Sequence, residues 1–350
     1  MNQESQTPHK RRVRYKGKYP KKFEEKYKEL QPEKYQDTIE HVIKKGNTPA
    51  GMHISIMVQE ILDTLKIQPG ETGFDATLGY GGHTKAMLAC LEGRGHIYAT
   101  DVDPEESAKT KKRLLEQGYG EEILTIKLQN FCTIDEIAKE AGGFDFVLAD
   151  LGVSSMQIDN PERGFSFKVE GPLDLRLNQK EGISAAERLD TITKEELAGM
   201  LYENSDEPYS EELAKAITDE IRRGNRMDTT KKLRDVIEKT LMFLPEKERK
   251  DTVKKTCQRV FQALRIDVNN EFEVLYEFME KLPECIKPGG RAAILTFHSG
   301  EDRLVKKALK SGYKAGIYSD YAKDVIRPSA KECAQNGRAR STKMRWAIKK

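Results

Sequence analysis

The sequence predicts an open α/β fold of the Rossmann-like class, a mostly parallel sheet interrupted by an inserted helical domain. Between residues 51 and 158, short β-branched runs alternate with stretches of helical spacing, the pattern of parallel strands joined by helical crossovers. Residues 159–258 then carry helical patterns with no convincing strand, and residues 259–350 return to the sheet domain. An extension, residues 1–50, precedes both parts.

Each element has its own reason. The extension is rich in Lys, Glu, Tyr and Gln, poor in aliphatics, and closed by Gly46, Pro49 and Gly51. ISIMVQEILDTL spaces its apolar residues as a helix does, and TGFDATLG is a short strand running into a glycine-rich turn. HTKAMLACL follows as a helix, HIYATDVD as a strand, and PEESAKTKKRLLEQ as a helix opened by proline. ILTIKLQNF and the buried FDFVLADLGVSS are the next strands. The insert contributes ISAAERL, KEELAGMLYEN, SEELAKAITDEIRRG and TTKKLRDVIEKTLMFL, all at helical spacing. FEVLYEFMEKLPECIKPGGRAAILTFHS then runs from helix through a Pro288-Gly289-Gly290 turn into a buried strand, EDRLVKKALK is a helix, and TKMRWAIKK alternates as a last strand.

At 350 residues with 37% hydrophobic content, the chain is long enough for one catalytic domain with a real core plus an insertion. No apolar run approaches the roughly 20 residues needed to cross a bilayer, and Lys10, Arg11 and Arg12 have no apolar stretch behind them, so a cytoplasmic protein is expected. Cys90, Cys132, Cys257, Cys285 and Cys333 lie far apart with no CxxC pair, against a zinc site or a disulfide framework; they are expected reduced, and no metal is expected. The net charge of +3 is unevenly placed. Residues 10–22 hold eight Lys or Arg and no acid, interleaved with Tyr15 and Tyr19, and residues 338–350 hold six, a distribution that suits a solvated tail or a polyanion partner.

The turn from Asp75 to His83 (DATLGYGGH) lies between a strand and a helix, where open α/β sheets bind adenosine-bearing cofactors. Roughly twenty residues on, Asp101 ends the second strand, where an acid contacts ribose hydroxyls. A dinucleotide fingerprint would need Gly or Ala where Thr84 stands, so the turn suits a cofactor without a pyrophosphate better than a nicotinamide dinucleotide.

These residues resemble the bacterial RsmH (MraW) enzymes, class I methyltransferases that methylate the exocyclic nitrogen of a cytidine in small-subunit ribosomal RNA. The resemblance rests on DATLGYGGHT at 75–84, DLGVSSMQID at 150–159, ERGFSF at 162–167, GPLDLRL at 171–177, TCQRVFQALRIDVNNE at 256–271, GGRAAILTFHSGEDRLVK at 289–306 and RARSTKMR at 338–345, and covers residues 53–350. It implies S-adenosylmethionine as cofactor, surrounded by Gly81, Gly82, His83, Asp101, Phe131, Asp150 and Gln157, and ribosomal RNA or the small subunit as partner. Self-association, if any, is expected to give a homodimer. Met156 for the usual proline, Gly300 for leucine, Asn178 for an acid, and the extension mark a divergent branch or paralogue.

A cytosine amino group is a poor nucleophile because its lone pair is delocalised, so acceptors for its hydrogens stabilise the transition state. Asp150 is the leading acceptor, with Ser154 and Ser155 holding the base. Arg163, Arg176, Arg259, Arg265, His298, Arg303, Arg338 and Arg340 lie in the family-like blocks, where guanidinium contacts to phosphates flanking an extruded base are expected. Two readings compete: an amino methyltransferase of another RNA or DNA, and a noncatalytic RNA-binding assembly factor.

Overall fold

The computed structural model describes residues 55–350; the basic extension lies outside the described residues. Seven strands form one sheet: β1 (Thr72–Asp75), β2 (His96–Asp101), β3 (Leu124–Leu128), β4 (Phe144–Asp150), β5 (Ile286–Thr296), β6 (Tyr318–Tyr321) and β7 (Lys343–Lys349). Their order is β3-β2-β1-β4-β5-β7-β6, parallel from β3 to β5, with β7 antiparallel to both β5 and β6. The chain walks outward from β1 to β3 and returns on the other side of β1 as β4. The carboxyl ends of β1 and β4 therefore flank the switch point at which open sheets bind ligands.

Ahead of the insert the helices are α1 (Val58–Leu65), α2 (Gly82–Leu91), α3 (Pro104–Glu116), α4 (Ile134–Ala141) and the single turn α5 (Ser155–Asp159). The insert holds α6 (Ala185–Thr191), α7 (Lys194–Ser205), α8 (Ser210–Arg222), α9 (Thr230–Thr240) and the start of α10 (Glu246–Val268); α11 (Glu271–Cys285), α12 (Ser299–Lys314) and α13 (Ala330–Gln335) follow. Local chemistry sets their ends. Asp103 caps α3, accepting hydrogen bonds from the Glu105 and Glu106 amides, and Pro104 opens its first turn. Reciprocal Ser/Thr and Glu side-chain bonds start α6 at Ser184 and α7 at Thr193.

Alternation along β5 shares the sheet between two cores. Ala292 and Ile294 face a cluster with Phe278, Leu282 and Leu309, whereas Ala293 and Leu295 face one with Ile61, Met87 and Leu91. The insert has a third core of its own, running from Leu173 to Leu264; α10 is continuous through residue 258, and its Val260, Phe261, Ala263 and Leu264 belong to that core. The Pro288-Gly289-Gly290 segment is a bulge within β5. Pairing jumps from Phe144–Ile286 to Phe146–Arg291, and Gly289 takes φ +77°.

Candidate active site

The turn after β1 is held by its own backbone and by one threonine. The Asp75 carboxylate, fully buried, accepts from the Thr84 hydroxyl (2.6 Å) and the Thr77 amide (3.1 Å). Thr84, whose identity argued against a dinucleotide, thus ties the start of α2 to β1. A methyl at Gly81 (φ +77°) would lie 2.8 Å from Thr110 Cγ2, and one at Gly82 would overlap the Ser55 hydroxyl. These glycines let α2 pack closely against its neighbours.

At the end of β2, Asp101 accepts from the Gly79 amide (2.8 Å) and the Asp103 amide (2.9 Å), bracing the glycine turn from across the sheet. A carboxylate offers about four lone-pair sites, so Asp101 keeps capacity for ribose hydroxyls. Asp103, which the sequence reading did not single out, is the hub here. One oxygen caps α3, and the other accepts from Arg163 (2.6 Å) and from the Gln157 amide nitrogen (3.0 Å). Gln157 in turn accepts from the Ser154 amide while Ser154 caps α5 through the Gln157 amide. Ser154 and Gln157 therefore form one capping box tied to the β2 loop. The Ser155 side chain lies outside the described residues. Phe131 follows β3 and sets its ring at right angles to Phe278, centroids 5.2 Å apart, half-buried at the β3 edge of the site.

The end of β4 differs. Asp150 Oδ2 lies 3.4 Å from Nδ1 of His83, whereas Oδ1 is buried with no hydrogen-bond partner among the described residues. His83 Nε2 sits 2.8 Å from the Ile56 carbonyl oxygen. Next door, at the end of β5, Glu301 accepts from the Phe297 amide (2.8 Å), and its other oxygen is 3.1 Å from His298 Nε2. Neither ring nitrogen of His298 reaches hydrogen-bond geometry. Glu271, His298 and Glu301 bring potential ligand atoms within 4.8 Å of one another, but the Arg265 fork occupies both oxygens of Glu271 (2.8 Å each), so an ion-pair network describes the cluster better than a metal site.

Burial pushes the Asp75 carboxyl up, and it pushes those of Asp101 and Asp150 up to about 6, where neighbouring acids add to the rise for the latter two. For Asp150 the opposing influence is His83. Asp103 is held low, because Arg163 outweighs the cost of burying it. Glu301 is also held low against burial, by His298 and Arg265.

The arginines separate by burial. Arg163, 6% exposed, also donates through its terminal nitrogens to the carbonyls of Arg176 (3.2 Å) and Leu177 (2.6 Å), while its Nε has no partner among the described residues. Arg176 forks onto Asp174 and Arg265 onto Glu271. Arg259 lies 3.6 Å from buried Glu207, and Arg338 donates to Asp159 at 2.8 Å. Arg303, 70% exposed, has only a loose 3.6 Å approach to Asp206, and Arg340 is exposed.

The donor set identifies the ligand class that fits. Around the switch point, Asp75, Asp101 and Asp150 are crowded acids, while the Gly79 and Gly81 amides are spent on Asp101 and the Leu78 carbonyl. Such a site repels a pyrophosphate and suits a ligand carrying a sulfonium, an ammonium and ribose hydroxyls. S-adenosylmethionine carries all three.

Known proteins give the same answer. The family model described as the MraW methylase family matches residues 50–350. The chain is 82% identical over 349 residues to the ribosomal RNA small subunit methyltransferase H 1 of Agathobacter rectalis, covering 100% of this chain and 99% of that one. It is 63% identical over 339 residues to the ribosomal RNA small subunit methyltransferase H 2 of Alkaliphilus metalliredigens, covering 97% of each. A relative from Acidobacterium capsulatum, ribosomal RNA small subunit methyltransferase H, is 36% identical over 302 residues, covering 85% of this chain and 98% of its own. Among the described residues, no helix is long and apolar enough to cross a membrane. With its strand order, its acid-lined switch point and a match over residues 50–350, the chain belongs to the MraW methylase family.

Proposed function

We propose that this protein transfers a methyl group from S-adenosylmethionine to the exocyclic amino nitrogen of a cytidine in small-subunit ribosomal RNA, with Asp150 as the acceptor for that amine. One observation carries the chemistry: Asp150 Oδ1 is a buried acceptor without a partner among the described residues, at the carboxyl end of β4, beside the switch point. A buried acceptor left without a donor costs about 1–3 kcal/mol, so its retention argues for a donor that arrives with substrate. When bound, S-adenosylmethionine supplies an electrophilic methyl group on a sulfonium; nitrogen forms the new bond, sulfur keeps the old bonding pair, and nitrogen has a proton to lose.

Gly81, Gly82, His83, Asp101, Phe131 and Gln157 would line the cofactor's place, with Asp101 on the ribose. Ser154 keeps its hydroxyl hydrogen while capping α5, so it can still donate to the base. The insert would recognise substrate, since Asp206 at the end of α7 lies within 3.4 Å of Ser299 and 3.6 Å of Arg303, beside His298. Arg303 and Arg340 are the exposed cations best suited to RNA phosphates, with Arg259 and Arg338 reachable if their pairs open. The test is methylation of small-subunit RNA and of assembled subunits by the purified protein, followed by nucleoside mass spectrometry. The expected product is N4-methylcytidine at one position; methylation of duplex DNA instead, or of no cytidine, would overturn the assignment.

A further inference from the structure

The geometry points to a second residue in the step: we propose that His83 is a positioning residue that holds Asp150 Oδ2 through a protonated Nδ1, leaving Oδ1 to take the hydrogen bond, and then the proton, of the acceptor amine. This rests on the reading of Asp150 given above. The inference starts from hydrogen-bond bookkeeping. His83 is 8% exposed, and its Nε2 faces a carbonyl oxygen, that of Ile56, at 2.8 Å. A carbonyl only accepts, so Nε2 carries a hydrogen. The other nitrogen, Nδ1, faces a carboxylate oxygen at 3.4 Å. Were both lone pairs bare, two acceptors would face each other across 3.4 Å, so one proton belongs between them.

Negative charge surrounds the pair: from β1, buried Asp75 faces the imidazole, and from α12, Glu301 adds negative charge around Asp150, as Asp75 does. With that proton on Nδ1, Asp150 is ionised although burial opposes it. An ionised Asp150 gripped at Oδ2 presents Oδ1 in one orientation. After methyl transfer, one amino proton passes from nitrogen to Oδ1, giving a carboxylic acid that returns the proton to solvent once product leaves. Loss of His83 would free the carboxyl to rotate and raise its affinity for a proton.

Two substitutions divide the two nitrogens. His83→Gln puts its amide near the place of Nε2, keeping a donor for the Ile56 carbonyl but losing the grip on Asp150. His83→Asn puts its amide near Nδ1, keeping an uncharged donor for Asp150. With bound cofactor, single-turnover methylation is expected to fall about 10–100-fold in His83→Gln, the scale of one charge-assisted hydrogen bond, and less in His83→Asn. In both, the acid limb of the rate profile is expected above the parent's, which should lie near 6. Because His83 also lines the cofactor's place, both variants are assayed at saturating cofactor, with its affinity measured separately, so that the rate reads the methyl-transfer step alone. In the cofactor-free protein, nitrogen-15 NMR of labelled histidine should show hydrogens on both ring nitrogens of His83 at pH 7, with Nδ1 deprotonated in Asp150→Asn. A neutral ring in the parent, or parent-like rate and acid limb in His83→Gln while Asp150→Asn is inactive, would overturn the role of His83 and leave Asp150 standing. An active Asp150→Asn would instead remove the reading on which it rests.

Discussion

The two ends of the switch point are built on opposite principles. At the β1–β2 end, each oxygen of Asp75, Asp101 and Asp103 accepts at least one hydrogen bond from the protein itself. At the β4–β5 end, one oxygen of Asp150 and both ring nitrogens of His298 have no hydrogen-bond partner among the described residues. The carboxylates of the first end are all engaged before any ligand arrives, as those of a nucleoside cradle should be. The second is left incomplete, and what completes it is a substrate with donors to offer. A buried acceptor without a donor is costly, and at the carboxyl end of β4 an arriving amine offsets that cost.

The comparison is broken most severely at its finished end. Arg163→Ala would strand Asp103 in the interior, and removing one partner of a buried pair costs about 3–5 kcal/mol. Urea denaturation should show that loss; a cost below about 1 kcal/mol would mean the Asp103 hub is not structural. Next in size, Asp101→Ala should weaken S-adenosylmethionine binding by roughly 10–100-fold, measured by calorimetry, as expected for losing a charge-assisted hydrogen bond to ribose. Parent-like affinity in a folded variant would remove Asp101 from the ribose.

A smaller effect is sharper in sign. Asp101 and Asp150 both hold protons up to about pH 6, and a cationic ligand prefers their ionised forms. Cofactor affinity should therefore rise between pH 5 and pH 7, by up to about tenfold per group that must ionise. A flat profile would mean that these acids do not face the cation. The smallest effect belongs to the extension: deleting residues 1–22 should leave cofactor affinity unchanged while flattening the slope of log RNA affinity against log salt by roughly 2–4, at about 0.7–0.9 per phosphate contact. Superimposable slopes would leave those cations without an RNA role.

Much of this was legible before the fold was known, and the residues show why. The β-branched run FDFVLAD and the glycine turn before α2 are local signals, and Asp101 follows the turn at the spacing that sheet geometry imposes. Two short elements were missed, α4 with 8 residues and β6 with 4; β6 (YSDY) carries no apolar run, and packing decides it. Asp103 could have been found as a cap, since it precedes Pro104 and two glutamates, but its second oxygen meets Arg163 60 positions later, a pairing only the fold creates. The intramolecular partners of the arginines were hidden for the same reason. Nothing in a sequence says whether a guanidinium's carboxylate is its own neighbour or a nucleic acid's phosphate.

The most direct measurement is single-turnover methylation of small-subunit RNA by Asp150→Asn, made beside a thermal melt at pH 8. Because folding raises the carboxyl to about 6, above its ordinary value, the folded protein holds this proton more tightly than the unfolded chain; the ionised group costs stability above about pH 6, and that cost disappears below about pH 4. Removing the charge should therefore leave the melting temperature at pH 8 unchanged or higher. The rate should fall by about 10²-fold or more, the scale of losing a transition-state acceptor. A stable variant that cannot methylate is the predicted result; a variant that methylates at the parent rate, or one that loses activity only because it unfolds, would contradict the assignment of Asp150 as the acceptor for the amine.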